Sequence, residues 1–163
     1  MIWFTADQHF NHKKIIGYCD RPFDFVADMN KTIIKNFQDR VGKSDICYHL
    51  GDFGFGSVDR LKGILSQLPG THFLVRGNHD KKPNACINIG FLSAKQRQPL
   101  RIGNIAMQMS HRPILSYPEW ADYVLHGHIH QKIISDKYDI RHINVGVDVH
   151  NFCPVSFEEL KNG

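Results

Sequence analysis

Eleven histidines stand in this chain, and three of them fall within five positions in the stretch LHGHIHQ, Leu125 to Gln131. A neutral imidazole is a good ligand for a transition metal near neutral pH and a poor filler of an apolar core. Four other short stretches carry Asp, Asn or His beside glycine or histidine: ADQH at Ala6 to His9, LGDF at Leu50 to Phe53, RGNHD at Arg76 to Asp80, and SHRP at Ser110 to Pro113. Carboxylate and amide oxygen together with imidazole nitrogen form a donor set that Mn, Fe, Zn, Co or Ni accepts. Two such cations about 3.5–4 Å apart need a shared anionic ligand to offset their repulsion. Asp52 is the candidate for that ligand, after a glycine that lets the backbone approach closely. Each stretch is weak alone. Their order, each at the end of a predicted strand, is what makes the signal.

The elements that must position these residues follow from hydrophobic spacing. MIWFTA, DICYHL and THFLVR are short apolar runs that predict buried strands, ending at Asp7, at Gly51-Asp52 and at Gly77-Asn78. From Asp24 to Val41, Phe25, Met29, Ile33, Phe37 and Val41 recur at fours, which predicts an amphipathic helix capped by Asp24. Ser57 to Leu68 predicts a second helix, with Ser57 as its N-cap and Pro69-Gly70 as its stop. Strand, helix, strand, helix, strand implies βαβ units and a largely parallel first sheet. LRIGNIAMQMS reads as a hairpin turning at Gly103-Asn104, ADYVLHG as a further strand, and KIISDKYDIRHINVGV as two strands turning at Asp136-Lys137. Hairpin connections are therefore expected through the C-terminal half. Ser156 with Glu159 forms a capping box for a last short helix. In open α/β sheets ligands bind at the carboxyl ends of strands, which is where Asp7, His9, Asp52, Asn78, His79, His111, His128 and His130 fall.

Composition narrows the class. At 163 residues the chain is read as one domain, 1–163, with no internal repeat or linker. No apolar run approaches the ~18 residues of a membrane span and no secretory signal is visible, so a cytoplasmic protein without membrane partners is expected. Cys19, Cys47, Cys86 and Cys153 show no Cys-x-x-Cys spacing and read as reduced, mostly buried thiols. The net charge of +4 favours anionic ligands, but the Lys and Arg residues are dispersed, so a nucleic-acid groove is possible and not favoured. His49 is expected to hydrogen-bond Asp52, with His126 and His150 as similar supports at the rim. His72 and His142 read as ordinary strand residues, while Tyr18, Tyr48 and Phe53 either line a pocket or pack the core.

With the five stretches in this order, the chain resembles the calcineurin-like metallophosphoesterases, whose pattern runs Asp-x-His, Gly-Asp, Gly-Asn-His-(Asp/Glu), His and Gly-His-x-His. The resemblance extends from Asp7 to the tail NVGVDVHNFCPVSFEEL, and HFNHKKII and RPF near the start are similar to a compact bacterial and phage-type subgroup of phosphoesterases. It implies an α/β fold, a four-layer α/β/β/α sandwich of two mixed sheets flanked by helices. It also implies two divalent metal ions, Mn foremost, with Fe, Zn, Ni or Co as alternatives. By position, Asp7, His9 and His130 would hold the first metal, Asp52 would bridge, and Asn78, His111 and His128 would hold the second. His79 would be no ligand but the catalytic acid facing the leaving oxygen. The implied reaction is hydrolysis of a phosphodiester or phosphomonoester, on a small phosphorylated or nucleotide substrate, by a hydroxide bridging the two metals. Ala6, Gln8 and Asn11 depart from the usual Ser, Thr and Gly, and none is an implied ligand. Arg21, Arg112 and His12 are candidate substrate contacts, weighed against surface salt bridges for the arginines and a solvated loop for His12. Two other functions stay open: a non-catalytic docking module that keeps the fold, and a nuclease, which would need a basic groove beside the metals.

Overall fold

The computed structural model describes residues 1–114, 118–132 and 141–162. It is an α/β protein of two mixed sheets with flanking helices. The first sheet contains β1 (Ile2–Thr5), β2 (Ile46–His49), β3 (Thr71–Val75) and β4 (Ala94–Lys95), all parallel. The second contains β5 (Arg97–Ile102), β6 (Ile105–Ser110), β7 (Tyr123–His126) and β8 (His142–Asn144), in that order. A last strand, β9 (Val155–Ser156), returns to the first sheet antiparallel to β1, giving the order β4-β3-β2-β1-β9.

Period-two alternation sorts these strands between two cores. Phe4, Tyr48 and Val75 point toward the second sheet, where they meet Met107, Met109 and Leu125 in the layer between the sheets. Trp3, Cys47 and Leu74 point the other way, under the helices. Those helices are α1 (Lys13–Tyr18), α2 (Val26–Arg40), α3 (Val58–Leu65) and α4 (Pro83–Ile89). In α2 the spacing of four puts Met29, Ile33 and Phe37 on one buried face, each contributing about 1.5–3 kcal/mol of transfer free energy. The Ser57 side chain accepts from Arg60 N at 3.2 Å and starts α3. The last helix, α5 (Phe157–Asn162), begins at a capping box: Ser156 N donates to Glu159 Oε2 at 2.8 Å and Glu159 N to Ser156 Oγ at 3.2 Å.

Several expectations are corrected. Asp24 does not cap α2: Phe25 is the N-cap residue, without a side-chain cap, and Asp28 supplies the acidic group in the first turn. Helix α3 ends at Leu65 with Ser66 as its cap, ahead of Pro69-Gly70. The turn at Gly103 does join antiparallel β5 and β6, but β6, β7 and β8 run parallel, so their connections are crossovers and not hairpins. The expected turn at Asp136-Lys137 lies outside the described residues. Helices α1 and α4 and strand β4 were not foreseen; each is shorter than the two turns or four residues a periodic pattern needs to show. All four cysteines are free thiols. Burial pushes Cys47 up to about 12 and Cys86 to about 11, which keeps both protonated and unreactive.

Candidate metal centre and its cleft

Both sheets present the carboxyl ends of their parallel strands to one edge. Past β1 the chain runs beside the segment that follows β2: Asp7 N donates to Gly51 O and His9 N to Asp52 O, both at 3.0 Å. Asp7, His9, Asp52, His128 and His130 all have φ between 51° and 71°. That left-handed conformation is rare for residues with a β-carbon and costs on the order of 1–3 kcal/mol each. It breaks the strict alternation of an extended strand, so His128 and His130, two apart, serve different groups of donors. Gly51 has φ +96°, and a β-carbon there would run into the His111 ring and come within 2.7 Å of Gly77 N. Glycine is the residue that lets the three segments approach this closely.

Two donor groups form. Asp7, His9 and His130 lie in one, and Asp52, His111 and His128 in the other, with all ligand atoms within 4.8 Å of one another in each. Asp52 lies between them. Its Oδ2 is 3.6 Å from His9 Nε2 and 3.4 Å from His111 Nε2, while its Oδ1 accepts from His79 N at 2.9 Å. Asn78 joins the second group, with Oδ1 3.2 Å from His111 Nε2.

The chemistry of these atoms fits divalent cations. His111 Nδ1 donates to Leu50 O at 2.8 Å, which leaves Nε2 a lone pair. That lone pair faces Asn78 Oδ1, Asp52 Oδ2 and, at 3.1 Å, His128 Nδ1. With His111 neutral these are acceptors facing acceptors, an arrangement that either a cation or a proton on Nε2 satisfies. In the other group Asp7 Oδ1 and His9 Nε2 are buried without a hydrogen-bond partner. Burial pushes Asp7 up to about 6, because an ionised carboxylate is costly there without a counter-charge. Burial also holds His9 at about 3 and His128 at about 4, so both are neutral at pH 7 and available as ligands. His130 is the opposite case. Burial disfavours its charge, but Asp148 and Asp7 outweigh that and raise it to about 10. His111 is raised too, against its burial, by Asp52 and Asp7.

A proton therefore balances charge where a cation would. Cation loading of the metal-free chain at pH 7 should release protons into weakly buffered solution, and apparent affinity should rise with pH from 6 to 8 as His130 and His111 give theirs up more readily. Potentiometric titration with MnCl₂ checks this, and a pH-independent affinity with no proton release would contradict it.

Several further side chains hold this centre: Asp80, which the sequence placed at a strand end without a role, and Asp148, which it did not single out. Asp80 accepts from Asp52 N at 2.8 Å, Phe53 N at 3.0 Å and Gly77 N at 2.7 Å, tying the loops after β2 and β3 together. Asp148 accepts from His130 Nδ1 at 2.7 Å and fixes the orientation of that ring. Asp148→Asn is expected to weaken metal affinity about 10–100-fold, measured by competition with a chelating dye. Cys19 sits with His130 and Asp148 in a third group of donor atoms within 4.8 Å.

Not every expected site residue faces the cleft. Arg21 is corrected: its side chain is fully buried, paired with Asp148 at 2.8 Å, and donates to Asp7 O at 2.7 Å and Gln8 O at 3.1 Å. It braces the β1 loop from behind and cannot meet a phosphate. His49 is corrected as well. It bonds Gln8 Nε2 at 2.7 Å and His72 Nδ1 at 3.0 Å, not Asp52, so His72 is part of a buried chain that ends on Leu68 O. His126 is buried with its Nδ1 on Gly127 O, and His150 reaches the centre only through Asn144, whose side chain donates to His130 O. Tyr48 and Phe53 are core residues.

The cleft in front of the centre holds about 550 Å³ and is lined by His9, Asp52, Asn78, His79, His128 and His130 on its floor. The His79 side chain is 45% exposed, with Nε2 4.0 Å from Asp52 Oδ2, beyond bonding distance and open to a ligand. His12 lines the wall, its ring 4.2 Å from that of Phe55, and exposed Tyr18 stands beyond it. Arg112 is exposed in a neighbouring depression that shares Asn78 with the cleft.

The chain is similar to known proteins over nearly its whole length. Residues 2–151 match the calcineurin-like phosphoesterase superfamily domain. The uncharacterized protein MJ1445 of Methanocaldococcus jannaschii is 34% identical over 96% of this chain and 87% of its own. The solved structure of AQ665 from Aquifex aeolicus, a protein of unknown function, superposes with a TM-score of 0.82 at 26% identity, covering 99% of this chain and 98% of that one. An archaeal phosphodiesterase shares the fold at a TM-score of 0.56 and 19% identity, over 89% of this chain and 82% of its own. Five motifs in order, the strand-end geometry that gathers them and a domain match over nearly the whole length agree: this chain belongs to the calcineurin-like phosphoesterase superfamily.

Proposed function

We propose that this chain hydrolyses phosphodiester bonds with two divalent cations, Mn²⁺ foremost, and that His79 is its general acid. The observation that carries the proposal is the position of Asp52 Oδ2 between His9 Nε2 and His111 Nε2, with the exposed imidazole of His79 beside it. Asp7, His9 and His130 would hold one cation, Asn78, His111 and His128 the other, with Asp52 placed to serve both. When bound, the cations supply an activated water and neutralise charge on the phosphoryl oxygens. The chain's own residues do the rest. His79 donates a proton to the leaving oxygen, a contribution of about 10²–10⁴ in rate. Its backbone N–H on Asp52 Oδ1 fixes where that imidazole starts from.

A diester is preferred over a monoester because an aromatic wall stands beside His79, with Lys14 and Lys132 also lining the cleft. Phe55 lies 5.3 Å from the His79 ring and 4.2 Å from His12, a surface suited to a second esterifying group. A Mn²⁺-supplemented screen of bis-p-nitrophenyl phosphate, p-nitrophenyl phosphate, cyclic nucleotides and short oligonucleotides tests this. Turnover of the diester above the monoester, abolished by EDTA, is expected. Two bound metals with no turnover of any substrate would instead mark a docking module.

A further inference from the structure

The depression next to the cleft is built differently from the cleft itself. It is lined by Arg76, Arg97 and Arg112, with Gln96, Ser110 and Asn78 among them, and among the described residues no carboxylate lines it. Among the described residues none of the three arginines has an acidic partner within 4.0 Å, and Arg76 Nε is buried with no hydrogen-bond partner at all. Arg97 and Arg112 are exposed and Arg76 half-buried, so solvent covers most of the desolvation cost, but three cations gathered without a carboxylate still repel one another unless an anion visits them. Asn78 lines both depressions and His111 lines the second, so the arginines begin where the candidate metal ligands end. In the cleft itself His12, Phe55 and exposed Tyr18 stand together on the wall, with Lys14 and Lys132 lining the same cleft.

We infer that the substrate is a nucleotide carrying a second phosphate: the base stacks on the Phe55–His12 wall, the scissile phosphate lies over Asp52, and the second phosphate is taken by Arg76, Arg97 and Arg112. The inference rests on the phosphoesterase function for the middle position only; the two outer subsites bind whether or not the bond is cut. Guanidinium groups recognise phosphate oxygens through charge-assisted, often bidentate hydrogen bonds, and aromatic faces accept any base without reading its sequence. The shared chemistry, a base and two phosphates, could come from the end of a nucleic-acid strand or from a nucleoside diphosphate.

Calorimetry on the metal-loaded protein with thymidine 5′-monophosphate, thymidine 3′,5′-bisphosphate and thymidine 5′-diphosphate separates these. The bisphosphate or the diphosphate is expected to bind at least ~10-fold tighter than the monophosphate, and the winner identifies a strand end or a P–O–P compound. In Arg97→Gln/Arg112→Gln that ratio should fall toward one. In the unaltered chain it should shrink as KCl is raised, a check that needs no variant to fold. Phe55→Ala should weaken all three ligands by a similar factor. Equal affinity of the three ligands for the unaltered chain would overturn the arginine subsite, and an unchanged affinity in Phe55→Ala would overturn the base position. Because binding is read, a chain inert toward bis-p-nitrophenyl phosphate still gives the answer.

Discussion

Asp52→Asn is expected to lower turnover by at least about 10²–10³-fold and to reduce bound metal from two ions per chain to one or none. The change is nearly isosteric, so folding should be kept: the amide can still accept from His79 N as Oδ1 does now at 2.9 Å. What it loses is the charge. In the present site His111, His79 N–H and His9 hold the Asp52 carboxyl at about 2 in spite of its burial, so it is ionised at every working pH. Among the described residues the one other carboxylate that reaches the second group is Asp7, whose Oδ1 is 3.9 Å from His111 Nδ1, the nitrogen already bonded to Leu50 O. Asp7 belongs to one group only, and Asp80 spends its oxygens on three backbone amides. Elemental analysis together with kcat on bis-p-nitrophenyl phosphate checks both halves. Full retention of two ions would show that Asp52 is not shared.

His79→Ala should behave differently, and the difference is the point. Its side chain stands at the cleft and is not needed to hold a cation, so metal content should stay as it is. A proton donor matters most when the leaving group is a poor one. Cleavage of a dinucleoside monophosphate, which expels an alkoxide, should slow by about 10²–10⁴-fold, whereas bis-p-nitrophenyl phosphate, which expels a stable phenolate, should slow far less. Equal losses on both substrates would assign His79 to positioning and not to proton transfer.

Much of the site was legible because its residues sit at strand ends. Short apolar runs stop at Asp7, Asp52, Asn78, His111 and His128, and residue type did the rest. The structure brings those donors together, with His9 and His130. What could not be read is which polar groups hold them. Arg21 pairs with Asp148 across 127 positions, and no local pattern announces a contact at that range. An arginine in a loop near a candidate anion site has two uses, binding the anion or bracing the backbone, and only the fold chooses. The same holds for His49, which lies three residues before Asp52 but on the helix-facing side of β2, bonded to Gln8 and His72. Strand direction was also silent. Met107 and Met109 alternate as a half-buried strand should, yet alternation is the same for parallel and antiparallel neighbours, so the crossovers around β7 were read as hairpins. Phe55 and the arginines at 76 and 97 gave no signal, since a lone aromatic or basic residue acquires meaning only from what stands across a cleft.

The central claim is that side chains from both sheets share two neighbouring cations through Asp52. Crystals of the Mn²⁺-loaded chain, with an anomalous difference map collected at the manganese edge, test it most directly. Two peaks about 3.5–4 Å apart, one beside Asp7 and His130 and one beside Asn78 and His128 with Asp52 between them, are expected. A single peak, or manganese bound away from Asp52, would contradict it.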